Sequence, residues 1–314
     1  MKTVLFTSNR MLHRAENCRA AFEGYDGDKY FMYVNPYRPN IAELRSVKYG
    51  LRVADEYVKA TPGKCIFIGH GYPSGKNVGI DQPHPYHSAM YSSLITYATS
   101  PSTDMVPVVA RQCGIPEERV LPIGLPRTDA YFGKKKGDGG TLVNDRRVYL
   151  YAPTFRNDWE GHMPHIEWDY IDRRLTDEEV FVVKPHPNTR NILKKPYKHI
   201  VEVSSDVPSS DYLIDCDVLI TDYSTIMFDA HVLQKSVVLF EKTFEYRSRR
   251  GMVMQYPDQY ASRYCNTEQD LVDLCRSADK PQEADIECRK RTAGACDGHS
   301  VERLNKLIKE IITL

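Results

Sequence analysis

The sequence has no surplus of either charge sign: 42 Lys and Arg balance 42 Asp and Glu over 314 residues. A protein that grips nucleic acid through its phosphates normally carries a basic excess, so a general nucleic-acid binder is excluded. Long apolar runs are also missing. None approaches the ~18 residues that a membrane-spanning helix requires. There is no C-x-x-C pair, and the eight cysteines (18, 65, 113, 216, 265, 275, 288 and 296) are scattered. That spacing argues against a metal ribbon or a dense disulfide framework and for reduced thiols in a cytoplasmic chain. Cys65 in KCIFIG and Cys216 in LIDCDVLI read as small buried hydrophobes. The first residues, MKTVLFTSNRMLHRAEN, have too short an apolar stretch for a signal peptide and read as a first strand. No internal repeat or low-complexity tract is present.

What is there fits a soluble globular protein, with 41% hydrophobic and 27% charged residues. The length suits two domains of roughly 150 residues each. Short β-branched or aromatic runs alternate with longer amphipathic segments, the pattern of parallel-sheet α/β domains. The first half offers strands at 3–7, 29–34, 65–68, 94–98 and 120–123, with helices over 41–60 and 102–113. GKKKGDGGTLVNDRR (133–147) reads as a linker. Strands resume at 147–153, 180–187, 199–203, 217–222 and 236–240, and helices at about 225–234, 267–278 and 300–313. The expectation is two Rossmann-like domains, 1–135 and 145–314, with the functional site in the cleft between them at the strands' carboxyl ends.

Four polar clusters follow predicted strands. In HGYPSGKNVG (70–79), His70 stands between Gly69 and Gly71. A loop imidazole titrating near neutrality suits a general base; a loop histidine satisfied by a neighbouring carbonyl is the alternative. In VVKPHPN (182–188), two prolines fix the direction of His186, and Lys184 and His186 are candidates to meet a phosphate. The alternative there is a plain Pro-rich turn. In DVLITDYSTIMFD (217–229), a strand ends at Asp222 and Ser224 reads as the N-cap of a helix starting near Thr225. Free N–H groups at that start, with two hydroxyls, suit a phosphate, and Asp229 one turn later suits a ribose hydroxyl; an ordinary capped helix is the alternative, which explains Ser224 but not the whole polar series. In YAPTFRND (151–158), Thr154 and Arg156 point to a charged ligand, unless Arg156 is an exposed structural residue.

Weaker signals carry less. His84/His87 and His162/His165 have H-x-x-H spacing without acidic or Cys ligands to complete a metal site. Asp215-Cys216-Asp217 has the short acidic pattern of some metal-dependent glycosyltransferases, but it leads into an apolar strand and reads as structural. Lys134–Lys136 reads as a solvated linker.

Taken in order, HGYPSGKNVG, ATSPSTD (98–104), GLPRTD (124–129), YAPTFRND, KPHPN, DVLITDYSTIMFD, Arg250-Gly251 and DGHSVER (297–303) resemble the CDP-glycerol glycerophosphotransferase family of teichoic acid primases and polymerases. One departure follows Arg250-Gly251, where MVMQYPDQYAS replaces the family's acidic residue and Pro-Gly pair. The resemblance implies a GT-B glycosyltransferase-like fold, with the acceptor on the first domain and the CDP donor on the second. It implies a metal-independent reaction without a cofactor, in which an acceptor hydroxyl attacks the distal phosphorus of a CDP-alditol and expels CMP. His70 falls on the family's proposed general base and His186 on the histidine that contacts the donor diphosphate. Ser224 and Thr225 fall on the hydroxyl pair of the phosphate-binding helix start. Arg127, Thr154, Arg156, Asp222 and Asp229 fall on further donor-side motif positions. The implied acceptor is a polyol phosphate or glycan, free or lipid-linked, and the implied location is cytoplasmic, with or without peripheral contact at the inner face of the membrane. Two other readings remain at this point: transfer of a sugar from a nucleotide-sugar by the same fold, and a nucleotide- or polymer-binding protein without catalysis.

Overall fold

The computed structural model describes residues 2–12, 15–34, 42, 46–55, 63–69, 71–73, 94–140, 145–154, 165–186, 192–242 and 252–313. The chain divides into two compact units, Met1–Phe132 with Lys290–Leu314, and Gly133–Arg289.

The first unit is built on six parallel strands: β1 (Val4–Ser8), β2 (Lys29–Tyr33), β3 (Leu51–Ala54), β4 (Cys65–Phe67), β5 (Tyr97–Thr99) and β6 (Val120–Leu121). Their order across the sheet is β2-β1-β3-β4-β5-β6. Helix α1 (Glu16–Gly24) follows β1, and α2 (Val106–Cys113) lies between β5 and β6. Pro107 sits in the first turn of α2, where its missing N–H leaves no helical bond unmade, and Gly114 closes the helix at φ 64°. Strand β3 corrects the expected helix over 41–60. Leu51–Ala54 is in register between β1 and β4, with Val4 opposite Leu51 and Arg52 opposite Cys65. Arg52 disguised the strand. It is buried mid-strand, with Nε and Nη2 each 3.3 Å from Cys65 Sγ.

The second unit repeats the design with β7 (Arg147–Tyr151), β8 (Glu179–Val183), β9 (Ile200–Glu202), β10 (Val218–Thr221), β11 (Ser236–Phe240) and β12 (Arg263–Cys265). All are parallel, ordered β12-β11-β10-β7-β8-β9, which is the doubly wound dinucleotide-fold order. Helices α3 (Trp168–Arg174), α4 (Ser209–Asp215), α5 (Ile226–Val232) and α6 (Glu268–Ser277) intervene. Its core joins Tyr151, Phe181, Val183, Ile220 and Phe240 with Leu271 of α6. Trp168, Tyr151 and Phe181 lie about one ring apart, with centroids 6.0–6.1 Å from each other in tilted and edge-on pairs.

At the amino end of this sheet, Glu179 accepts hydrogen bonds from Tyr149 Oη (2.7 Å), Arg276 Nε and Nη2 (2.9 and 2.7 Å) and the Thr176 N–H (2.9 Å). Arg276 foremost, with the Tyr149 hydroxyl and Thr176 amide, holds its carboxyl at about 2. A depressed carboxylate stabilises the fold above its unfolded value, and that contribution disappears as pH falls toward the folded value. Glu179→Gln is therefore expected to cost about 3 kcal/mol at neutral pH. The gap to wild type in denaturant unfolding should close between pH 5 and pH 2; a gap independent of pH would refute the assignment.

The supposed linker is docked on this unit. Asp215 Oδ1 accepts from the N–H groups of Gly137 and Gly139, each at 2.9 Å. A Cβ on Gly139 would lie 2.1 Å from the Asp211 carbonyl, so the close approach requires glycine. Lys136, read as solvated, pairs with Asp217 at 2.6 Å, and Asp217 also accepts the Val148 N–H at 2.7 Å. Asp215 and Asp217 thus have the structural roles expected of them.

After α7 (Glu283–Ala293) and α8 (Ser300–Thr313), the chain ends in the first unit. This corrects the expected boundary, which gave 145–314 to a single domain. Leu304, Leu307, Ile308 and Ile311 of α8 join the core formed by Val4, Phe6, Cys18, Ala21, Val53 and Ile66. Asp129 caps α8, accepting from Ser300 N (3.1 Å) and Val301 N (2.8 Å). Arg303 donates to the carbonyls of Ile123 and Ala295, and Ser102 Oγ to that of Arg291. At Gly124 (φ 90°) a Cβ would lie 2.3 Å from Ser300 Oγ. Three of the motifs, ATSPSTD, GLPRTD and DGHSVER, therefore close this return of the chain. All eight cysteines are free and buried; burial pushes the Cys216 thiol up to about 12. Among the described residues no helix is long and apolar enough to cross a membrane.

Candidate active site

In the second sheet the chain runs outward from β7 to β8 and β9 on one side and from β10 to β11 and β12 on the other. A doubly wound sheet opens a crevice where these directions diverge, beyond the carboxyl ends of β7 and β10. Two of the sequence-predicted residues meet there. Asp222 Oδ1 accepts both the Thr154 N–H (2.9 Å) and the Thr154 hydroxyl (2.6 Å), and both residues are buried. Thr221 Oγ1 also donates to the Ala152 carbonyl at 2.6 Å. These bonds fix the two strand ends against each other and so set the walls of the crevice.

Ser224 and Thr225 follow, half-buried, at the start of α5. The cap position is Thr225 rather than Ser224, and neither side chain caps the helix. The first turn is closed by main chain, with Met227 N bonding the Ser224 carbonyl and Phe228 N that of Thr225. Among the described residues neither hydroxyl has a hydrogen-bond partner, so both can serve a bound group. Asp229 lies one turn further, buried, with its carbonyl accepting the Leu233 N–H.

At the end of β8, Lys184 and His186 differ. His186 is exposed. Lys184 is 2% exposed, and its ammonium donates to the carbonyls of Pro185 (3.3 Å) and Ser205 (3.2 Å). Burial lowers its pKa. Its charge is turned to loop carbonyls, so it holds the turn that presents His186.

In the first unit, Gly69, two residues beyond β4, has φ 61°, a left-handed conformation that favours glycine. Its carbonyl accepts from Asn17 Nδ2 (2.9 Å), while Asn17 Oδ1 accepts from the Arg127 N–H (3.1 Å). The Arg127 guanidinium lies over the Tyr72 ring (5.4 Å to the centroid), 3.3 Å from Tyr131 Oη and 3.6 Å from Glu16. Arg127 and Asn17 are thus parts of one local network. Sequence reading passed over Asn17, although an asparagine on the buried face of a helix was a usable signal. His70, Arg156, Arg250, Gly251, His84, His87 and His162 lie outside the described residues. His165 pairs with Glu167 at 2.8 Å.

Residues 46–310 match the family of CDP-glycerol:poly(glycerophosphate) glycerophosphotransferases. The chain belongs to this family. It is 29% identical over 266 residues to the teichoic acid glycerol-phosphate primase of Bacillus subtilis (strain 168), covering 80% of this chain and 69% of that one. With the teichoic acid poly(ribitol-phosphate) polymerase of Bacillus spizizenii it shares 28% identity over 261 residues, 78% of this chain but 41% of the polymerase. The solved structure of the wall teichoic acid polymerase TagF superposes with a TM-score of 0.78 at 19% identity, over 99% of this chain and 89% of that one. At that identity the likeness speaks to the fold, which is GT-B-like, with two α/β units. The glycerophosphotransferase match takes in Arg127, Thr154, Lys184, His186, Asp222, Ser224 and Thr225 and begins after Asn17.

Proposed function

We propose that the chain transfers glycerol phosphate, or another alditol phosphate, from a CDP-alditol to an acceptor hydroxyl with release of CMP, in teichoic acid-like or capsular polymer synthesis. The observation that carries this reading is the family match over 46–310, within which two hydroxyls without a partner among the described residues stand at the crevice of a nucleotide-fold sheet. Phosphoryl transfer requires positioning and charge stabilisation more than covalent catalysis. In this reading Ser224, Thr225, His186 and Arg156 meet the donor phosphates. Thr154 and Asp222 shape the crevice, and Lys184 holds the His186 turn. His70 takes the proton of the attacking hydroxyl. The second unit is the donor side and the first the acceptor side. The acceptor is the end of a polyol-phosphate or glycan chain carried on a lipid, and the enzyme works at the inner face of the membrane by peripheral contact.

CMP release from CDP-glycerol and CDP-ribitol, with and without a glycerol-phosphate-terminated acceptor, tests the reaction. Acceptor-stimulated release from a CDP-alditol is the expected result. Turnover with UDP-sugars alone, yielding no phosphate linkage in the product, would overturn it.

A further inference from the structure

Asparagine is a poor helix former, and burying a carboxamide is unfavourable unless its hydrogen bonds are made. Asn17 lies within α1 and is 1% exposed, and its carboxamide is bonded at both ends. Its partners belong to two motif segments far apart in the chain: Gly69, directly before His70, and Arg127, in the Pro126–Tyr131 turn. The same arginine lies over Tyr72, two residues after His70. Gly69 and Tyr72, which bracket residues 70 and 71 in the sequence, are therefore both engaged by this network. Position 70 also stands between two glycines, Gly69 and Gly71, whose backbones are otherwise the least restrained of any residue.

We infer that Asn17 is a positioning residue for the transfer reaction, tying the backbone that leads into His70 to the Pro126–Tyr131 turn; this rests on the reading of His70 as the base. The peptide unit is planar, so a hydrogen bond to the Gly69 carbonyl restricts the orientations open to the peptide that follows it. A base displaced by about 1 Å can cost 10²-fold in rate even when substrate still binds.

The test is steady-state kinetics of Asn17→Ala with a CDP-alditol and acceptor, beside wild type, His70→Ala and Ala21→Gly. Ala21 is a buried position of the same helix with no part in the site. Asn17→Ala should lower kcat about 10²-fold, with the donor KM within a few-fold of wild type. Its rate should still rise with pH as the base deprotonates, a limb that His70→Ala loses. Ala21→Gly should lower the melting temperature without lowering kcat. Should Asn17→Ala not fold, Asn17→Asp is read in its place: it keeps the shape and the acceptor for Arg127 but faces the Gly69 carbonyl with an oxygen. A kcat within a few-fold of wild type, or a loss that Ala21→Gly reproduces, overturns the inference alone. A wild-type chain that turns over no CDP-alditol overturns the functional reading, and this inference with it.

Discussion

A chain ending at Arg289 is expected to lose the fold of its first unit while the second keeps its own cooperative transition. The segment removed supplies Leu304, Leu307, Ile308 and Ile311 to the first unit's core. Burying side chains of this size contributes about 1.5–3 kcal/mol each, so together roughly 6–12 kcal/mol. A whole domain is stable by only about 5–15 kcal/mol. The truncation also strands polar groups: Asp129 loses both amides that it caps, and the Ile123 carbonyl loses Arg303. Trp168 packs against Tyr151 and Phe181 of the second unit's core, so its emission reports that unit. The expected result is a tryptophan unfolding transition that persists beside a large loss of far-ultraviolet circular dichroism. Ile308→Ala should give the milder form, about 2–5 kcal/mol. Full dichroism and an unchanged first transition after truncation would show that the returning helix is dispensable.

That helix also marks where sequence reading stops. Its apolar positions were legible, and 300–313 was expected as a helix. Its partner was not legible, because the bonds that place it come from Asp129 and Ile123, more than 170 residues earlier. The second sheet was easier to read. Strands buried on both faces appear as continuous apolar runs, and VFVV, VLIT and SVVLF stand out in that way. The two missed strands lacked this signature. Leu51–Ala54 carries a buried arginine, and Arg263–Cys265 is a three-residue edge strand with Tyr264 exposed. In the candidate site, Thr154 and Asp222 were each named from their positions after strands. Their direct bond depends on β7 and β10 being neighbours, and strand order is not written in local pattern. Lys184 shows the reverse limit. A lysine at a strand end looks like a phosphate ligand until the fold turns its ammonium to the carbonyls of Pro185 and Ser205.

His186→Ala and His70→Ala are each expected to lower turnover about 10²–10⁴-fold, for different reasons that pH separates. His186 is exposed at the end of β8, so its truncation leaves the core intact and the melting temperature close to wild type. In the proposed reaction it stabilises charge on the departing CMP, which it does best when protonated. His70 accepts a proton and must be neutral. An imidazole titrates near neutrality, so one histidine required protonated and the other required neutral give a rate that rises and then falls with pH. His70→Ala should abolish the rise and keep the fall; His186→Ala should abolish the fall and keep the rise. Lys184→Met tests the support of the second residue, since removing the ammonium frees the carbonyls of Pro185 and Ser205 that hold the turn. It should shift the falling limb and lower kcat while leaving the rising limb in place. Turnover within a few-fold of wild type in both histidine variants would remove both assignments.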